Sequence, residues 1–503
     1  MSAKFFSALS LSARAHRIFL LLFAFYLLCA TFMLDKYPRV WVDEPWESVT
    51  AYTLVTHGAL YNPALENWDG FDKVLLQPRL LLSLVLAPVF AVFGVGHIEG
   101  RLASVACGAL LMIAVYLFTQ RLYSRRAALI AVWFVTIETM MFIAYRTIRP
   151  EIYLVALETF SMMLLFQGFR TSLVRYFLGS GILSGIALWT HPNAVLHVVA
   201  ISVLLVLSYR VQVFASRSSW SFVGGVALGL LPYLVYVIVN DAHNSFATLW
   251  LQLDERQNAV VAQNWLLTSM QGEWARLKEY AQFPYRVPIL LLFAAVWFQS
   301  LRSKRTETQY LAVVVAVNVI LLFLLISNKT VLYFTSILPI LCILTAASVD
   351  GFLDAQKPFG AGLKGILDPR MRRESVGVVL FIVLSANQLA GDANLLWRNK
   401  DCSYTETIRQ LHTAIPPNAK VWGSMTFWFG FYQQPFRAHA TGLRELESFK
   451  PEYMITGDRE VWGKEFWKAV REKADDVIER RGTLVAELPE SCYGRLRVYR
   501  LQW

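Results

Sequence analysis

Two adjacent carboxylates, Asp43 and Glu44, follow the first long apolar run of the chain, residues 18–34. Ionisable groups close to a bilayer are costly, so their presence there indicates a functional site. Pro45 favours a helix that begins at this point, with both acids at its electropositive N-terminus, where they stay ionised. Such a pair can serve as a general base or bind a metal ion. The alternative is a helix cap that faces water.

The composition is that of a membrane protein. The 503 residues are 56% hydrophobic and only 17% charged, and the mean hydropathy is +0.44. Apolar runs of about 20 residues recur along the chain, as in polytopic α-helical membrane proteins. The formal charge of +11 comes largely from short loops between these runs. We therefore expect membrane lipid, and no nucleic acid, as a partner.

The distribution of Lys and Arg predicts the topology. The apolar runs cover residues 18–34, 79–97, 101–120, 127–145, 151–169, 176–190, 194–209, 221–239, 287–300, 309–326, 330–348 and 375–391. If 79–97 does not span, the predicted cytoplasmic loops carry about twice as many basic residues as the opposite loops, as the positive-inside rule requires. We therefore predict about eleven spanning helices, a cytoplasmic N-terminus, and a membrane-embedded or surface-lying segment at 79–97.

The fold class that follows is a polytopic α-helical membrane protein with a small C-terminal soluble α/β domain. We expect a transmembrane domain at 1–391, which includes a first external loop at 35–100, and an external domain at 392–503. The candidate strands of that domain are Ala419–Gly423, Tyr453–Thr456, Thr483–Leu488 and Leu496–Leu501, with a helix near Glu460–Arg471. No CxxC or HExxH metal pattern and no Gly-rich phosphate loop is present in the sequence.

Two cysteines, Cys402 and Cys492, lie in this external tail. In an oxidising compartment they would form a disulfide, which we predict, although two unpaired buried thiols are the alternative. The predicted topology also brings four external segments, one long and three short, to one membrane face. They contain Asp43, Glu151, His191 and Lys329 respectively.

The order of these segments resembles the GT-C membrane glycosyltransferases. A first helix followed by Asp-Glu precedes Phe93-Gly94-Val95-Gly96 and then Gly100-Arg101-Leu102-Ala103. The chain is most similar to the branch that contains the lipid A aminoarabinose transferases and the protein O-mannosyltransferases. The segment from Lys329 to Pro339 resembles a later Lys…Tyr…Pro helix start of that branch. The resemblance covers roughly residues 15–350 and the layout of the tail.

The sequence departs from the aminoarabinose transferases at three places. Trp46 stands where they usually have an Arg after the Asp-Glu pair. Their Lys-Pro-Pro-Leu is Gln77-Pro78-Arg79-Leu80 here, so Arg79 or Lys73 would supply the positive charge. Their Lys-Gly-Pro turn corresponds to Thr190-His191-Pro192. These differences concern the donor sugar and the acceptor more than the class of reaction.

The resemblance implies an inverting transfer of a sugar from a polyprenyl-phosphate donor to a lipid, glycan or protein acceptor, at the external face of a bacterial inner membrane. Asp43 corresponds to the catalytic acid of the first loop, Glu44 to its neighbour, and Glu151 to an acid of the second loop. We expect that no cofactor is required. The alternative is a divalent metal ion bound by Asp43 and Glu44. The predicted donor phosphate-binding residues are Lys329, Tyr333, Arg79, Arg101, Arg149 and His191.

Simple chemistry supports the same residue types. A base must deprotonate the acceptor, and cations must stabilise the phosphate as it leaves. Each residue also has a structural alternative: Glu151 can pair with Arg149, Lys329 can anchor a helix end, and His191 can be a polar turn residue. The competing function is a lipid or solute transporter, or a flippase. Transporters place charges midway along broken helices and often show paired halves, whereas these charges gather at one end.

Overall fold

The computed structural model describes residues 17–254, 265–325, 331–353, 369–439, 444–457 and 466–503. Apolar helices form most of it, and a mixed sheet follows them. The helices of the membrane part are α1 Arg17–Thr31, α2 Asp43–His57, α3 Leu80–Phe93, α4 His97–Leu122, α5 Arg125–Ile137, α6 Thr139–Ala144, α7 Pro150–Thr171, α8 Val174–Leu188, α9 Ala194–Tyr209, α10 Arg217–Asp241, α11 Ala247–Asp254, α12 Trp265–Ala281, α13 Val287–Leu301, α14 Thr306–Leu325, α15 Leu338–Leu353 and α16 Pro369–Arg398.

Each of the eleven predicted spans contains a helix. Seven helical segments within the described ranges are long and apolar enough to cross a membrane, and α1, α8 and α15 are shorter apolar helices. The run predicted at 127–145 is divided into α5 and α6 at Glu138, whose carboxylate accepts a hydrogen bond from the Met141 N–H (2.8 Å). The polytopic helical fold class is therefore confirmed.

The doubtful segment at 79–97 folds as α3, a helix of 14 residues. Its length is about 21 Å at 1.5 Å per residue, which is shorter than the roughly 30 Å hydrocarbon core of a bilayer. It ends at Gly94, which has a left-handed φ of +89°, and α3 packs against α2 and α4. The segment is thus a short helix that supports α2, and its membrane-embedded or surface-lying position stays a prediction.

Small residues let α8 and α10 approach closely. Gly181 and Gly185 of α8 face Gly225 and Gly229 of α10, and a Cβ added to any of the four would overlap backbone atoms of the other helix. Membrane helices commonly use such small residues because lipid offers no hydrophobic force to bring helices together. The adjacent Gly224 has nothing within 4 Å of an added Cβ.

This contrast gives a matched pair of variants. Gly225→Ala should lower the melting temperature of the detergent-solubilised protein, because overpacking costs about 1–3 kcal/mol. Gly224→Ala should leave it unchanged or raise it slightly, since Ala favours a helix over Gly by roughly 1 kcal/mol. Thermal unfolding of the two variants measures the difference. Equal melting temperatures of the two variants would show that the close contact between α8 and α10 does not require glycine at position 225.

The C-terminal α/β region contains the sheet. Its strands are β1 Val421–Gly423, β2 Phe436–Ala438, β3 Tyr453–Gly457, β4 Gly482–Ser491 and β5 Gly494–Leu501, and its helices are α17 Tyr404–Ala414, α18 Trp428–Phe431, α19 Arg444–Phe449 and α20 Phe466–Arg481. The order is β2-β1-β3-β5-β4; β1 is parallel to β2 and β3, and β5 is antiparallel to β3 and β4.

Four of these strands correspond to predicted ones, and β2 was not predicted. The prediction of a helix near Glu460–Arg471 is wrong in its bounds, since α20 extends to Arg481; residues 458–465 lie outside the described ranges. Helix α16 continues to Arg398, so the boundary expected at residue 391 falls within a helix. A continuous apolar core joins the C-terminal α/β region to the membrane helices.

Asp35 attaches the C-terminal α/β region to the end of the first helix. Its carboxylate accepts hydrogen bonds from the Ser403 hydroxyl and from both the hydroxyl and the backbone N–H of Thr405, and lies 2.9 Å from Nε2 of His97. The disulfide between Cys402 and Cys492 forms beside this contact, with a Cα–Cα distance of 5.1 Å. The predicted disulfide is thus confirmed, and it covalently joins the two ends of the region.

The attachment should depend on pH. Burial raises the pKa of Asp35, but the hydrogen bonds from His97, Ser403 and Thr405 outweigh it and hold the pKa below its ordinary 3.8. A carboxyl whose pKa is lowered by folding stabilises the protein above its unfolded pKa, and this contribution is lost as the pH falls through the folded pKa.

Asp35→Asn should therefore melt at a lower temperature than the wild-type protein at pH 7, and the two curves should converge as the pH falls below about 4. Melting curves across this pH range make the test. Asp475→Asn, on the exposed face of α20, is the control and should show no such convergence. A constant difference between Asp35→Asn and the wild type at all pH values would contradict the account.

Candidate active site

The start of α2 places Asp43 and Glu44 in its first turn. Pro45 fits there because the missing N–H of proline would have no partner in the first turn of a helix. The helix ends at Gly58, whose φ is +69° and whose N–H bonds to the Leu54 carbonyl. The two acids are neighbours in sequence but point to different partners.

Glu44 is fully buried and bound on both carboxylate oxygens. Arg101 of α4 donates from Nε (2.8 Å) and from Nη2 (2.6 Å). The backbone N–H groups of Trp41 and Ile148, each at 3.1 Å, complete its shell. Arg101 also donates to the Leu34 carbonyl and is itself fully buried. Glu44 thereby joins α2, α4 and the loop before α7.

Arg149 connects Asp43 with Glu151. It donates to Asp43 through Nη1, and to Glu151 through Nη2 (2.7 Å) and Nε (3.1 and 3.2 Å). Pro150 begins α7, and a residue before proline avoids the helical conformation, so Arg149 is extended (φ −142°, ψ +149°). Burial lowers the pKa of Arg149, but the charges of Glu151 and Asp43 outweigh it and hold the pKa well above its ordinary value.

A third acid of α2, Glu47, was missed in the sequence. It lies one turn after Asp43, so both face the same side of α2, and it forms a buried ion pair with Arg79, the residue before α3. Burial lowers the pKa of Arg79, but the negative charges of Glu47 and Asp43 outweigh this and hold the pKa above its ordinary value. The spacing of one helical turn between Asp43 and Glu47 is the feature of the sequence that could have predicted this role for Glu47.

His191 and Tyr333 lie at the same cluster. Their rings meet edge to face at a centroid distance of 5.6 Å. Nδ1 of His191 accepts a hydrogen bond from the Asn193 N–H (3.1 Å), which orients the ring. Tyr333 lies within electrostatic range of both Arg79 and Arg149, and His191 within that of Glu151. Lys329, four residues before Tyr333, lies outside the described residues.

Exposure distinguishes the acids. The Asp43 side chain is 34% exposed, whereas Glu47, Glu151 and Glu44 are 2%, 4% and 0% exposed. A general base must reach the proton that it removes. Asp43 meets this requirement, and Arg149 holds it in place and supplies a positive charge beside it.

In the described part of the chain, the acids do not form a metal site. Among the described residues, no three His, Cys, Asp or Glu side chains are grouped to hold a metal ion. The two carboxylates that could have formed a pair, Asp43 and Glu44, are turned toward different arginines. Since both oxygens of Glu44 already accept hydrogen bonds, Glu44 is poorly placed as a ligand.

Comparison with known proteins identifies the fold. Residues 77–239 match the family described as dolichyl-phosphate-mannose-protein mannosyltransferase. No curated protein sequence matches the chain. ArnT from Cupriavidus metallidurans, in a crystal structure bound to undecaprenyl phosphate, is similar with a TM-score of 0.63 and 14% identity, over 96% of this chain and 97% of ArnT.

An archaeal enzyme gives a second match. The oligosaccharyltransferase of Archaeoglobus fulgidus, tethered to an acceptor peptide, has a TM-score of 0.54 and 13% identity, over 96% of this chain and 74% of the archaeal one. The predicted resemblance to the GT-C membrane glycosyltransferases is confirmed. The chain has the GT-C fold, and the predicted class of enzyme, glycosyltransferase, is confirmed at this general level.

Proposed function

We propose that the protein transfers a sugar from a polyprenyl-phosphate donor to an acceptor hydroxyl, with Asp43 as the general base. The observation that carries the proposal is the partly exposed Asp43 carboxylate beside the largely buried Arg149 guanidinium, whose side chain is 12% exposed. The likeness to a structure that holds undecaprenyl phosphate, and to an oligosaccharyltransferase solved with a dolichol-phosphate, supports the donor class. The acceptor is a lipid, a glycan or a protein side chain.

The reaction is a single displacement. Asp43 takes the proton of the acceptor hydroxyl as its oxygen attacks the anomeric carbon of the sugar. The bond between that carbon and the phosphate oxygen breaks, and the polyprenyl phosphate leaves with the electron pair. Because attack comes from the face opposite the leaving group, the anomeric configuration inverts. Arg149, His191 and Tyr333, with Lys329, stabilise the charge that develops on the phosphate.

The remaining charged residues position these groups. Glu44 and Arg101 form a closed pair that fixes the start of α2, so we assign them a structural role rather than contact with the substrate. Glu151 holds Arg149 from the side opposite Asp43. Arg79 is paired with Glu47 at the edge of the cluster, where its charge adds to the field at the phosphate. We propose no resident metal at Asp43 and Glu44.

The proposal is tested by the release of polyprenyl phosphate. Purified protein is given a panel of labelled polyprenyl-phosphate sugars with an acceptor extract. Asp43→Asn should lower transfer by about 10²–10⁴-fold, the usual contribution of a general base, with an unchanged melting temperature. The matched control is Asp401→Asn, at an exposed site, and it should transfer normally. Near-normal turnover of Asp43→Asn would refute its role as base.

The same proposal fixes the orientation in the membrane. We place the Asp43 cluster and the C-terminal α/β region on the external side of a bacterial inner membrane, and the α9–α10 connection in the cytoplasm. A cysteine introduced at Gln433 should react with an impermeant thiol reagent in intact cells, whereas one at Gln212 should not. Both positions are exposed. If the cysteine at Gln212 reacted and the one at Gln433 did not, the topology would be the inverse of the proposed one and the active site would not be external.

A further inference from the structure

A cavity with a partly polar lining lies far from Asp43. It has a volume of about 530 Å³ and opens between the ends of α4, α13 and α15 and the start of α14. Tyr123, which lines it, directly follows α4, whose other end holds Arg101 at the Asp43 cluster. The 26 residues of α4 span about 39 Å at 1.5 Å per residue. The two sites therefore lie near opposite faces of the membrane part.

Part of the cavity lining is basic and rich in hydroxyl groups. Arg302 and Arg305 line the cavity together with Ser303 and Thr308. The Arg302 guanidinium stacks on the Phe298 ring at 4.4 Å, and no carboxylate pairs with Arg302 in the part of the chain that the structure describes. Arg305 is more engaged: it stacks on Tyr123, donates to the Leu122 carbonyl and lies 3.5 Å from Glu307. Arg302 is thus the cation available to an anionic ligand.

The rest of the lining includes apolar side chains. Ala295, Phe298, Leu344 and Ala347 also line the cavity. Phe298 is 53% exposed, and Leu291, two turns earlier on the same face of α13, is 64% exposed. This apolar stripe continues the apolar part of the lining along the outer surface of a membrane-spanning helix. A ligand that fits this mixed lining carries an anionic group and acyl chains.

We propose that this cavity binds the phosphate headgroup of an anionic phospholipid. The phosphate accepts hydrogen bonds from Arg302 and the neighbouring hydroxyl groups, because guanidinium groups match phosphate oxygens in geometry and charge. Its acyl chains lie along Phe298 and Leu291. Basic pockets between the ends of membrane helices are suited to such headgroups. The site is separate from the transfer reaction and does not depend on the proposed function.

The test is native mass spectrometry of the full-length protein, delipidated in detergent and titrated with phosphatidylglycerol or phosphatidylcholine. Phosphatidylglycerol should bind more tightly than phosphatidylcholine. Arg302→Gln should weaken its binding on the order of fivefold, the effect of one basic residue near a membrane surface. Arg302→Lys should retain most of the affinity. Arg210→Gln, in another exposed basic loop, is the matched control and should bind as the wild type does.

Melting temperatures without lipid show whether each variant is folded. If Arg302→Gln does not fold, the binding of phosphatidylglycerol is compared between the wild type and Arg302→Lys. Equal binding of the two lipids, or equal binding of phosphatidylglycerol by the wild type, Arg302→Lys and Arg302→Gln, would overturn the proposal. A third arm uses inorganic phosphate. If phosphate alone raises the melting temperature in an Arg302-dependent way while phosphatidylglycerol does not bind, the ligand is a soluble anion and the lipid assignment is wrong.

Discussion

The buried ion pair between Glu44 and Arg101 is the constraint on which the site depends. Both side chains are fully excluded from solvent. Removing one partner of such a pair typically costs about 3–5 kcal/mol, because the other charge is left buried and uncompensated. Through Glu44, the start of α2, helix α4 and the backbone at Ile148 are held in one arrangement. That arrangement brings Arg149, the next residue, to Asp43.

Two adjacent acids thus have different partners and different exposure to solvent. Glu44 points into the protein and is saturated with donors, whereas Asp43 points toward solvent and is held by a single arginine. Arg149 in turn is held by Glu151, so Asp43 does not need to be buried to be fixed in position. A carboxylate that is both oriented and accessible is what general-base catalysis requires.

The sequence predicted the elements better than the pairing of the charges. Long apolar runs located the helices because a membrane span must be apolar over its whole length. The resemblance selected Asp43, Glu151 and Arg149, which the structure brings together, although their roles stay proposals. That Arg101 would be enclosed by Glu44 could not be predicted, because the partner of a buried charge is decided by packing between distant segments.

Other features were invisible for similar reasons. Asp35 is an ordinary loop acid in the sequence, and its role appears only when Ser403 and Thr405 fold against it. The strand β2 has three residues, too few for an alternating pattern to be recognised. The Arg302 cavity is formed by residues of four separate segments, none of which contains a motif.

We propose that the Asp43 cluster binds the phosphate of a polyprenyl carrier. A cryo-EM structure of the protein with undecaprenyl phosphate would test this. We expect density for the phosphate within hydrogen-bonding distance of Arg149, His191 or Tyr333, with space for an acceptor beside Asp43. A phosphate bound elsewhere in the protein, with the Asp43 cluster unoccupied and unchanged, would contradict it.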